Sequence, residues 1–385
     1  MSKWILYILL FVLVVQTVTV VSAGEIEATR TWEHAFGSEI LTLSLAPDGS
    51  TFAVGTNRPG TLYYYDRNGT RLWSHDTGCP VYGSAVSKDG AYVVEGSDMV
   101  RVFTREGDLD WRWESGYFAF SVAISPDGKY IAVGSDDSTV RLLRRGGGEL
   151  WKYDATGDVD AVAISADGSL IAAGSDGQVS LVGKNGKKIW KKDAGRGIRS
   201  VAISPDGNYI AVGSLDHRVH LYSSNGTLLW QYRTDNRVHH VAITSDGRVV
   251  GASQDRAVYF LSKDGELLWK EFQPASVTAA AISNDGSLLL SGTGTGDQRV
   301  CMYTLEKVVT VATTQPTPPP TLPPVRTIET LPPVADVPAA VPPENSLFGF
   351  GSSTLFNRPL PQLLLLAGGV ALAGLIVMAL YRRQR

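Results

Sequence analysis

The sequence has little of what a disulfide-stapled or nucleic-acid-binding protein needs. It holds two cysteines, Cys79 and Cys301, in 385 residues, which is too few for a disulfide framework, and we predict that both are unpaired. Its 35 basic and 38 acidic residues are spread along the chain, so no basic face indicates nucleic acid as a partner. The chain is 44% hydrophobic, which is enough to build a core and excludes a disordered protein.

Motifs that carry catalytic or cofactor chemistry are also missing. No nucleotide-binding glycine loop, GxSxG elbow or HExxH helix occurs in the sequence. His239 and His240 are adjacent and His217 and His220 are three apart, but on strands neither pair has the geometry of a zinc site. We therefore predict no metal, no cofactor and no enzymatic activity.

A repeat of about 40 residues organises the middle of the chain. Each repeat carries a tryptophan and, sixteen residues later, the aspartate of an Asp-Gly pair. The tryptophans are Trp32, Trp73, Trp111, Trp151, Trp190, Trp230 and Trp269, and the aspartates are Asp48, Asp89, Asp127, Asp167, Asp206, Asp246 and Asp285. Seven matches at one offset indicate seven copies of one structural unit.

Each unit reads as four short β-rich runs separated by turn residues, as in residues 198–230. This pattern is typical of a four-stranded antiparallel propeller blade. The first tryptophan lies in a fourth strand with no preceding three, and the last unit lacks a fourth strand. We therefore predict an all-β fold, a seven-bladed β-propeller over residues 29–306, closed by the N-terminal strand 29–35.

The two ends of the chain predict a membrane-anchored protein. Residues 1–23 read as a signal peptide cleaved after Ala23, or alternatively as an uncleaved anchor. The proline- and threonine-rich residues 307–361 predict a semi-rigid stalk, and the uncharged residues 363–381 a transmembrane helix. The basic tail 382–385 belongs inside by the positive-inside rule. Both interpretations of the N-terminus leave the propeller outside the cell membrane, in a single-pass topology.

The repeats resemble two propeller families. The run VAISPDGxYIAVGS at 122–135 and 201–214 is similar to WD repeats, and the (Asn/Asp)-Gly-x-x-(Leu/Ile)-Trp endings at 185–190, 225–230 and 264–269 are similar to pyrroloquinoline-quinone-type (PQQ-like) repeats. The combination resembles archaeal cell-surface propeller proteins with a signal, a stalk and a membrane anchor. Such a resemblance specifies the fold much better than the activity.

The sequence departs from both families in ways that matter for function. The Gly-His and Trp-Asp of WD repeats are missing, so the hydrogen-bond tetrad of that family cannot be transferred. Five aspartates stand three residues before the valine of the third strand, where the WD-family aspartate lies. Because the histidine partner is missing, we predict that they are turn carboxylates that bind backbone N–H groups. These aspartates are Asp137, Asp176, Asp216, Asp255 and Asp297. The metal and carboxylate set of quinone enzymes is also missing, and we interpret the recurring tryptophan as packing between blades.

One position varies strongly between repeats where the others recur. The second residue of the innermost strand is Leu41, Tyr82, Phe120, Asp160, Arg199, His239 and Thr278 in the seven units. We expect these side chains to ring one mouth of the central channel, near Tyr117, Arg196 and Arg237 from adjacent loops. A ring that is aromatic on one side and charged on the other suits a specific ligand or partner, although drift of loop positions would give the same variation.

These observations favour a binding or scaffold module that contacts a surface protein or a glycan. An extracytoplasmic enzyme (a lyase, a hydrolase or a quinoprotein) with its site at the channel mouth is the alternative, and a structural surface-layer component is a third. The sequons at Asn68 and Asn225 are possible glycosylation sites, but both fall at hairpin turns where Asn-Gly is favoured by geometry alone.

Overall fold

The structure, a computed structural model, describes residues 26–307 except Ser115. The predicted signal peptide, membrane span and basic tail lie outside the described residues, as does the predicted stalk beyond Lys307. Within the described part, no helix has the length and apolar character needed to cross a membrane. The helix found there is one 3-10 turn, Lys88–Gly90, and the rest is strand and turn.

Twenty-eight strands form seven four-stranded antiparallel sheets. The chain enters the fold through β1 (Ile26–Ala35), which belongs to the last blade. Blade 1 contains β2 (Ile40–Leu45), β3 (Thr51–Thr56), β4 (Thr61–Asp66) and β5 (Arg71–Asp76). Blade 2 contains β6 (Gly83–Val86), β7 (Tyr92–Gly96), β8 (Val100–Thr104) and β9 (Leu109–Trp113). Blade 3 contains β10 (Ala119–Ile124), β11 (Tyr130–Ser135), β12 (Thr139–Arg144) and β13 (Gly148–Asp154).

The remaining blades repeat the same order. Blade 4 contains β14 (Val159–Ile164), β15 (Leu170–Ser175), β16 (Gln178–Gly183) and β17 (Lys188–Asp193). Blade 5 contains β18 (Ile198–Ile203), β19 (Tyr209–Ser214), β20 (Arg218–Ser223) and β21 (Leu228–Arg233). Blade 6 contains β22 (Val238–Ile243), β23 (Val249–Ser253), β24 (Ala257–Leu261) and β25 (Leu267–Phe272). Blade 7 contains β26 (Val277–Ile282), β27 (Leu288–Thr293) and β28 (Arg299–Lys307), with β1 as its fourth strand.

The two ends of the described chain pair with each other to close the ring. β1 runs antiparallel to β28, with Ile26 opposite Lys307 and Ala35 opposite Arg299. The predicted closure is therefore confirmed, with a strand that starts at Ile26 rather than at residue 29. The pairing gives β28 the fourth-strand partner that every other blade receives from its own repeat, so the last blade has no missing strand.

The hydrophobic core lies between neighbouring blades rather than at the centre of the molecule. Seven buried clusters each combine residues of two adjacent blades. At the closing interface, Ile40 and Phe52 of blade 1 pack with Leu290 and Met302 of blade 7. The second and third strands supply most of these side chains and are buried over nearly their whole length, which explains their continuous apolar runs.

The recurring tryptophan packs between blades as predicted, and it also forms a hydrogen bond. The indole N–H of Trp190 donates to the backbone carbonyl of Ser224 in the next blade at 2.7 Å. Trp73, Trp151 and Trp230 donate in the same way to Arg105, Lys184 and Lys263 at 2.8 to 3.0 Å. These four tryptophans therefore connect the fourth strand of their blade to the outer hairpin of the following blade.

The aspartates after the second strands correct one prediction. Asp255 does accept backbone N–H groups, from Asp235 at 3.0 Å and Ala257 at 2.9 Å, and it also accepts the Tyr259 hydroxyl at 2.6 Å. Asp137 instead binds the guanidinium of Arg141 on the third strand. Burial raises the pKa of Asp137, but the bonds from Arg141 and Thr139 outweigh it and bring the pKa down to about 2.

Two further aspartates of this set bind side chains. Asp216 faces Arg218 at 3.4 Å and His220 at 3.5 Å. Asp297 accepts from the Thr293 hydroxyl at 2.9 Å and pairs with Arg299 at 3.1 Å. The turn-carboxylate interpretation was wrong for Asp137, Asp216 and Asp297, because within the described residues their carboxylates contact side chains and accept no backbone N–H group. Asp176 lies in its turn at φ 41°.

Candidate functional site

The seven innermost strands surround a central cavity of about 610 Å³. The loops that lead into these strands and the loops between second and third strands lie at one end of the channel, which we name the mouth face. The Asp-Gly turns and the outer hairpins between third and fourth strands lie at the other end, which we name the turn face. The second residue of each innermost strand is therefore close to the mouth face.

The structure brings the predicted ring together. All seven predicted side chains line this one cavity, and Glu39, from the loop before β2, joins them. Six of them are the second residue of their strand, whereas Tyr82 takes the equivalent place just before β6, which begins at Gly83. The ring is formed by Leu41, Tyr82, Phe120, Asp160, Arg199, His239 and Thr278. The repetition of one unit explains this convergence, because seven equivalent positions around one axis face the same opening. In six blades a register shift between the first and second strands falls at this residue, so the residue lies at a local irregularity of the ladder.

Aromatic side chains occupy the side of the mouth formed by blades 2 and 3. The ring of Tyr82 meets Phe120 edge-on at 5.4 Å between centroids and Phe118 at 6.0 Å. Phe118 is 43% exposed and Tyr117 is 52% exposed, in the loop before β10. These exposed faces offer an apolar platform of the kind that binding sites use to hold a planar or apolar group.

Charged side chains occupy the side formed by blades 4, 5 and 6. Arg199 pairs with Asp160 at 3.1 Å across two neighbouring blades. Burial raises the pKa of Asp160 although Arg199 opposes that shift. Burial also lowers the pKa of His239, and the nearby charges of Arg199 and Arg237 add to this. At neutral pH His239 is thus a neutral imidazole with one donor and one acceptor.

Below the mouth the channel wall is made of small side chains. The residue three positions after each ring residue is serine once and alanine six times, and all seven residues line the cavity. They are Ser44, Ala85, Ala123, Ala163, Ala202, Ala242 and Ala281. These short side chains leave the lumen open beneath the ring, so a ligand held at the mouth has space below it.

Hydroxyl groups tie the innermost strands of adjacent blades together. The Oγ1 of Thr42 accepts the N–H of Ser84 at 3.2 Å, and the Oγ of Ser121 accepts the N–H of Val162 at 3.0 Å. Ser200 does the same for the N–H of Val241 at 3.0 Å. These bonds satisfy backbone donors that have no neighbouring strand, and they fix the spacing of the ring residues around the axis.

The other predicted site residues lie outside the channel wall. Arg196 and Arg237 are exposed in the loops before β18 and β22, on the mouth face beside the ring. Asn68 and Asn225 lie in outer hairpins on the turn face, and the Asn225 side chain accepts the N–H of Thr227 at 3.0 Å. Hence the possible glycosylation sites and the ring are at opposite ends of the channel.

Sequence reasoning missed some residues of the site. Glu39 lines the cavity and Phe118 packs against Tyr82, yet neither is at the second position of a strand. The cluster Tyr117, Phe118 and Phe120 would have been a usable signal, since three aromatic residues fall within four positions. The alanine ring also had a signal, because a small residue recurs at one position in all seven units.

Comparison with protein families agrees with this architecture. A family model described as "Outer membrane protein assembly factor BamB" matches the chain twice, over residues 14–175 and 175–315, which is more than half of its length. The chain belongs to the PQQ-like propeller family. No curated protein matches the chain. The two adjoining matches of this PQQ-like chain cover all seven blades of its ring.

The residues of this PQQ-like propeller do not fit a quinone site with a metal ion. Among the residues that the structure describes, no three His, Cys, Asp or Glu side chains are grouped closely enough to hold a metal ion. The mouth carboxylate Asp160 is engaged by Arg199. The mouth offers a ligand aromatic faces, one ion pair and a neutral histidine.

Proposed function

We propose that this protein is a non-enzymatic binding module that holds its ligand at the channel mouth. One observation carries the proposal. Seven side chains that differ in every blade converge on one opening, with aromatic groups on one side and a charged pair and a histidine on the other. Such convergence of apolar faces with a few polar groups is typical of a binding site.

The state of the polar groups supports binding rather than catalysis. Asp160 is held in an ion pair by Arg199 at 3.1 Å, although burial raises the pKa of Asp160. Near His239, the cations Arg199 and Arg237 oppose protonation more strongly than Glu39 favours it. Among the described residues no carboxylate is hydrogen-bonded to His239, whereas a catalytic histidine is usually oriented by one. The description of the matching family, an assembly factor, is also that of a protein that acts on other proteins by association.

The positions of the chain ends support a role at the cell surface. Ile26 is opposite Lys307 at the turn-face end of β1 and β28, so the segments that precede and follow the propeller both leave from that face. If residues 363–381 anchor the protein, their tether attaches at the end opposite the ring. The mouth face then carries no attachment point, so it is free to meet a surface protein or a glycan.

The test compares two triple variants of the full-length chain. The mouth variant carries Tyr82→Ala, Phe120→Ala and Arg199→Met. The rim variant carries Leu109→Ala, Phe272→Ala and Arg112→Met, whose native side chains are 52%, 63% and 64% exposed away from the channel. Both lose two large apolar groups and one charge. The measurements are capture of envelope components by each protein and its melting temperature.

We expect the wild type and the rim variant to capture the same component and the mouth variant to lose it. The melting temperature of the mouth variant should change by no more than about 5 °C, because these side chains are partly exposed and an aromatic pair contributes roughly 1 kcal/mol. Equal capture by the mouth variant and the wild type would refute the proposal. Turnover of a substrate that depends on the mouth residues would favour the enzymatic alternative.

A further inference from the structure

The outer hairpin of blade 4 concentrates positive charge on a protein whose net charge is -3. Five lysines fall within residues 184–192, and no acidic residue stands between them. They are Lys184, Lys187, Lys188, Lys191 and Lys192, and we name this segment, with strand β17, the lysine hairpin. It lies on the rim of the propeller, away from the channel mouth.

None of these five lysines forms an ion pair with any residue of the described range 26–307. Basic residues on other outer strands do have acidic partners: Arg30 pairs with Glu33 at 3.0 Å and Lys152 with Asp154 at 3.6 Å. The nearest acidic residue along the hairpin, Asp193, instead accepts a bond from Gln178 at 2.9 Å. The charge of the lysine hairpin is therefore not neutralised within the fold.

Two of the lysines are nevertheless held in place by neutral groups. The Nζ of Lys184 sits 4.2 Å from the ring centroid of Tyr130, and the Nζ of Lys191 donates to Thr156 at 3.3 Å. Both contacts reach back to blade 3 or to the loop that follows it. Like charges on adjacent positions repel and cost stability, so an unneutralised group of five, partly pre-positioned, fits an anionic partner.

The shape of the surface narrows the class of that partner. Three of the lysines lie on the six-residue strand β17, where successive side chains point to opposite faces. Lys191 reaches Thr156 on the blade 3 side, and the Lys192 side chain lies beside Gly226 on the blade 5 side. The charges therefore flank both sides of an outer strand, which a flexible chain can follow and a flat membrane cannot. The tryptophan of the hairpin, Trp190, is 9% exposed and its N–H is bonded to Ser224. It therefore cannot stack on bases, which proteins that bind single-stranded nucleic acid require.

We propose that the lysine hairpin binds a linear acidic polysaccharide, whose carboxylate or sulfate groups pair with the lysine ammonium groups. This site is separate from the channel mouth and does not depend on the function proposed for it. The exposed Ile189, 53% accessible between Lys188 and Lys191, contacts the apolar face of a sugar ring between two charged groups.

The test measures binding of polygalacturonate and dextran sulfate to the full-length chain in a nonionic detergent. In the hairpin variant all five lysines become glutamine. The control variant removes the same charge from exposed basic residues of other blades. Its substitutions are Lys88→Gln, Arg112→Gln, Lys129→Gln, Lys152→Gln and Lys263→Gln. A third variant replaces the five lysines with arginine.

We expect the hairpin variant to bind at least about tenfold more weakly, because its local counter-charges are gone. The control variant should stay within about threefold of the wild type and the arginine variant should retain binding. Raising the salt from about 50 to 200 mM should weaken wild-type binding strongly.

Three results would overturn the proposal: no binding of either polysaccharide by the wild type, equal losses in the hairpin and control variants, or preferential binding of another anion through the same lysines. The competing anions are oligo(dT) and mixed micelles that contain phosphatidylglycerol.

Melting curves establish that each variant is folded. A double variant, Lys187→Gln with Lys188→Gln, changes only exposed positions and should show a smaller loss in the same direction. Because the mouth variant leaves these lysines intact, it should bind the polysaccharides normally whether or not it loses its own ligand.

Discussion

His240 is the residue whose charge state depends most on the fold of the channel wall. It follows His239 on β22 and lines the cavity. Burial lowers the pKa of His240 from 6.5 to about 4, and the neighbouring His239 contributes in the same direction. A contact with the backbone of Ala280 in the next blade opposes the shift only weakly. The native channel therefore contains a neutral imidazole that unfolding would release to ordinary water.

This shift predicts a loss of stability in acid. Between pH 6.5 and 4 the unfolded chain binds a proton at His240 and the folded chain does not, so the free energy of unfolding falls as the pH falls through this window. The loss from His240 alone reaches up to about 3 kcal/mol. We expect His240→Gln to lose correspondingly less stability than the wild type between about pH 7 and 4, measured by urea denaturation.

His34→Gln, on the exposed side of β1, is the matched control for removing an imidazole. If His240→Gln and the wild type lose the same stability across this window, then His240 is not kept neutral by the fold. The test needs the difference between the two proteins, because carboxylates such as Asp137, whose pKa is lowered to about 2, also destabilise the fold in acid.

At the scale of elements, the outer hairpins depend on glycines that lie against a tryptophan. Gly69, at φ +80°, lies in the hairpin between β4 and β5, and a Cβ there would come within 2.2 Å of the indole of Trp32 on β1. Gly146, in the corresponding hairpin of blade 3, has a similar φ of +71°, but a Cβ added there would have no atom within 4 Å. The two glycines share backbone strain and differ in packing.

Substituting alanine at these two positions separates strain from packing. Gly146→Ala should cost about 1 kcal/mol, the usual penalty of a left-handed conformation. Gly69→Ala should cost this plus the displacement of Trp32, about 2 to 4 kcal/mol in total. Both costs are measured by chemical denaturation, and equal costs would contradict the packing role of the tryptophan.

The blade pattern could be predicted from the sequence because it depends on local periodicity. The sixteen-residue offset from Trp190 to Asp206 spans a fourth strand, a loop and the next first strand, whose lengths hardly vary between repeats. The ring at the mouth followed from the repeat itself, because equivalent positions of seven units must surround one axis. Partners such as Arg141 for Asp137 could not be predicted, because they depend on which side chain reaches across a turn. For the same reason Phe118 was missed, since loop geometry and not periodicity brings it to Tyr82.

At the scale of the whole molecule, the ring is held closed by the pairing of β1 with β28. Trp32 extends this closure into blade 1, where its ring lies 5.6 Å from both Phe52 and Tyr65. Cys301 can serve as a probe of this β1–β28 pairing. It is 3% exposed on β28 and lies between Glu33 of β1 and Ser291 of β27. Its burial also raises the pKa of the thiol, which makes it unreactive in the closed ring.

Deleting Ile26–Ala35 should remove the strand that pairs with β28 and expose Cys301 to solvent. In a Cys79→Ser background, which removes the other and more accessible thiol, we expect Cys301 in the deletion variant to react with a maleimide at least about tenfold faster than in the intact chain. The melting temperature should also fall, because the fourth strand of blade 7 and the Trp32 packing are lost together. Trp32→Ala without the deletion separates these two effects, since it removes the packing and keeps the strand. A thiol that stays protected after the deletion would mean that blade 7 is stable with three strands. The ring would then be held closed by the contacts between its innermost strands rather than by the pairing of its ends.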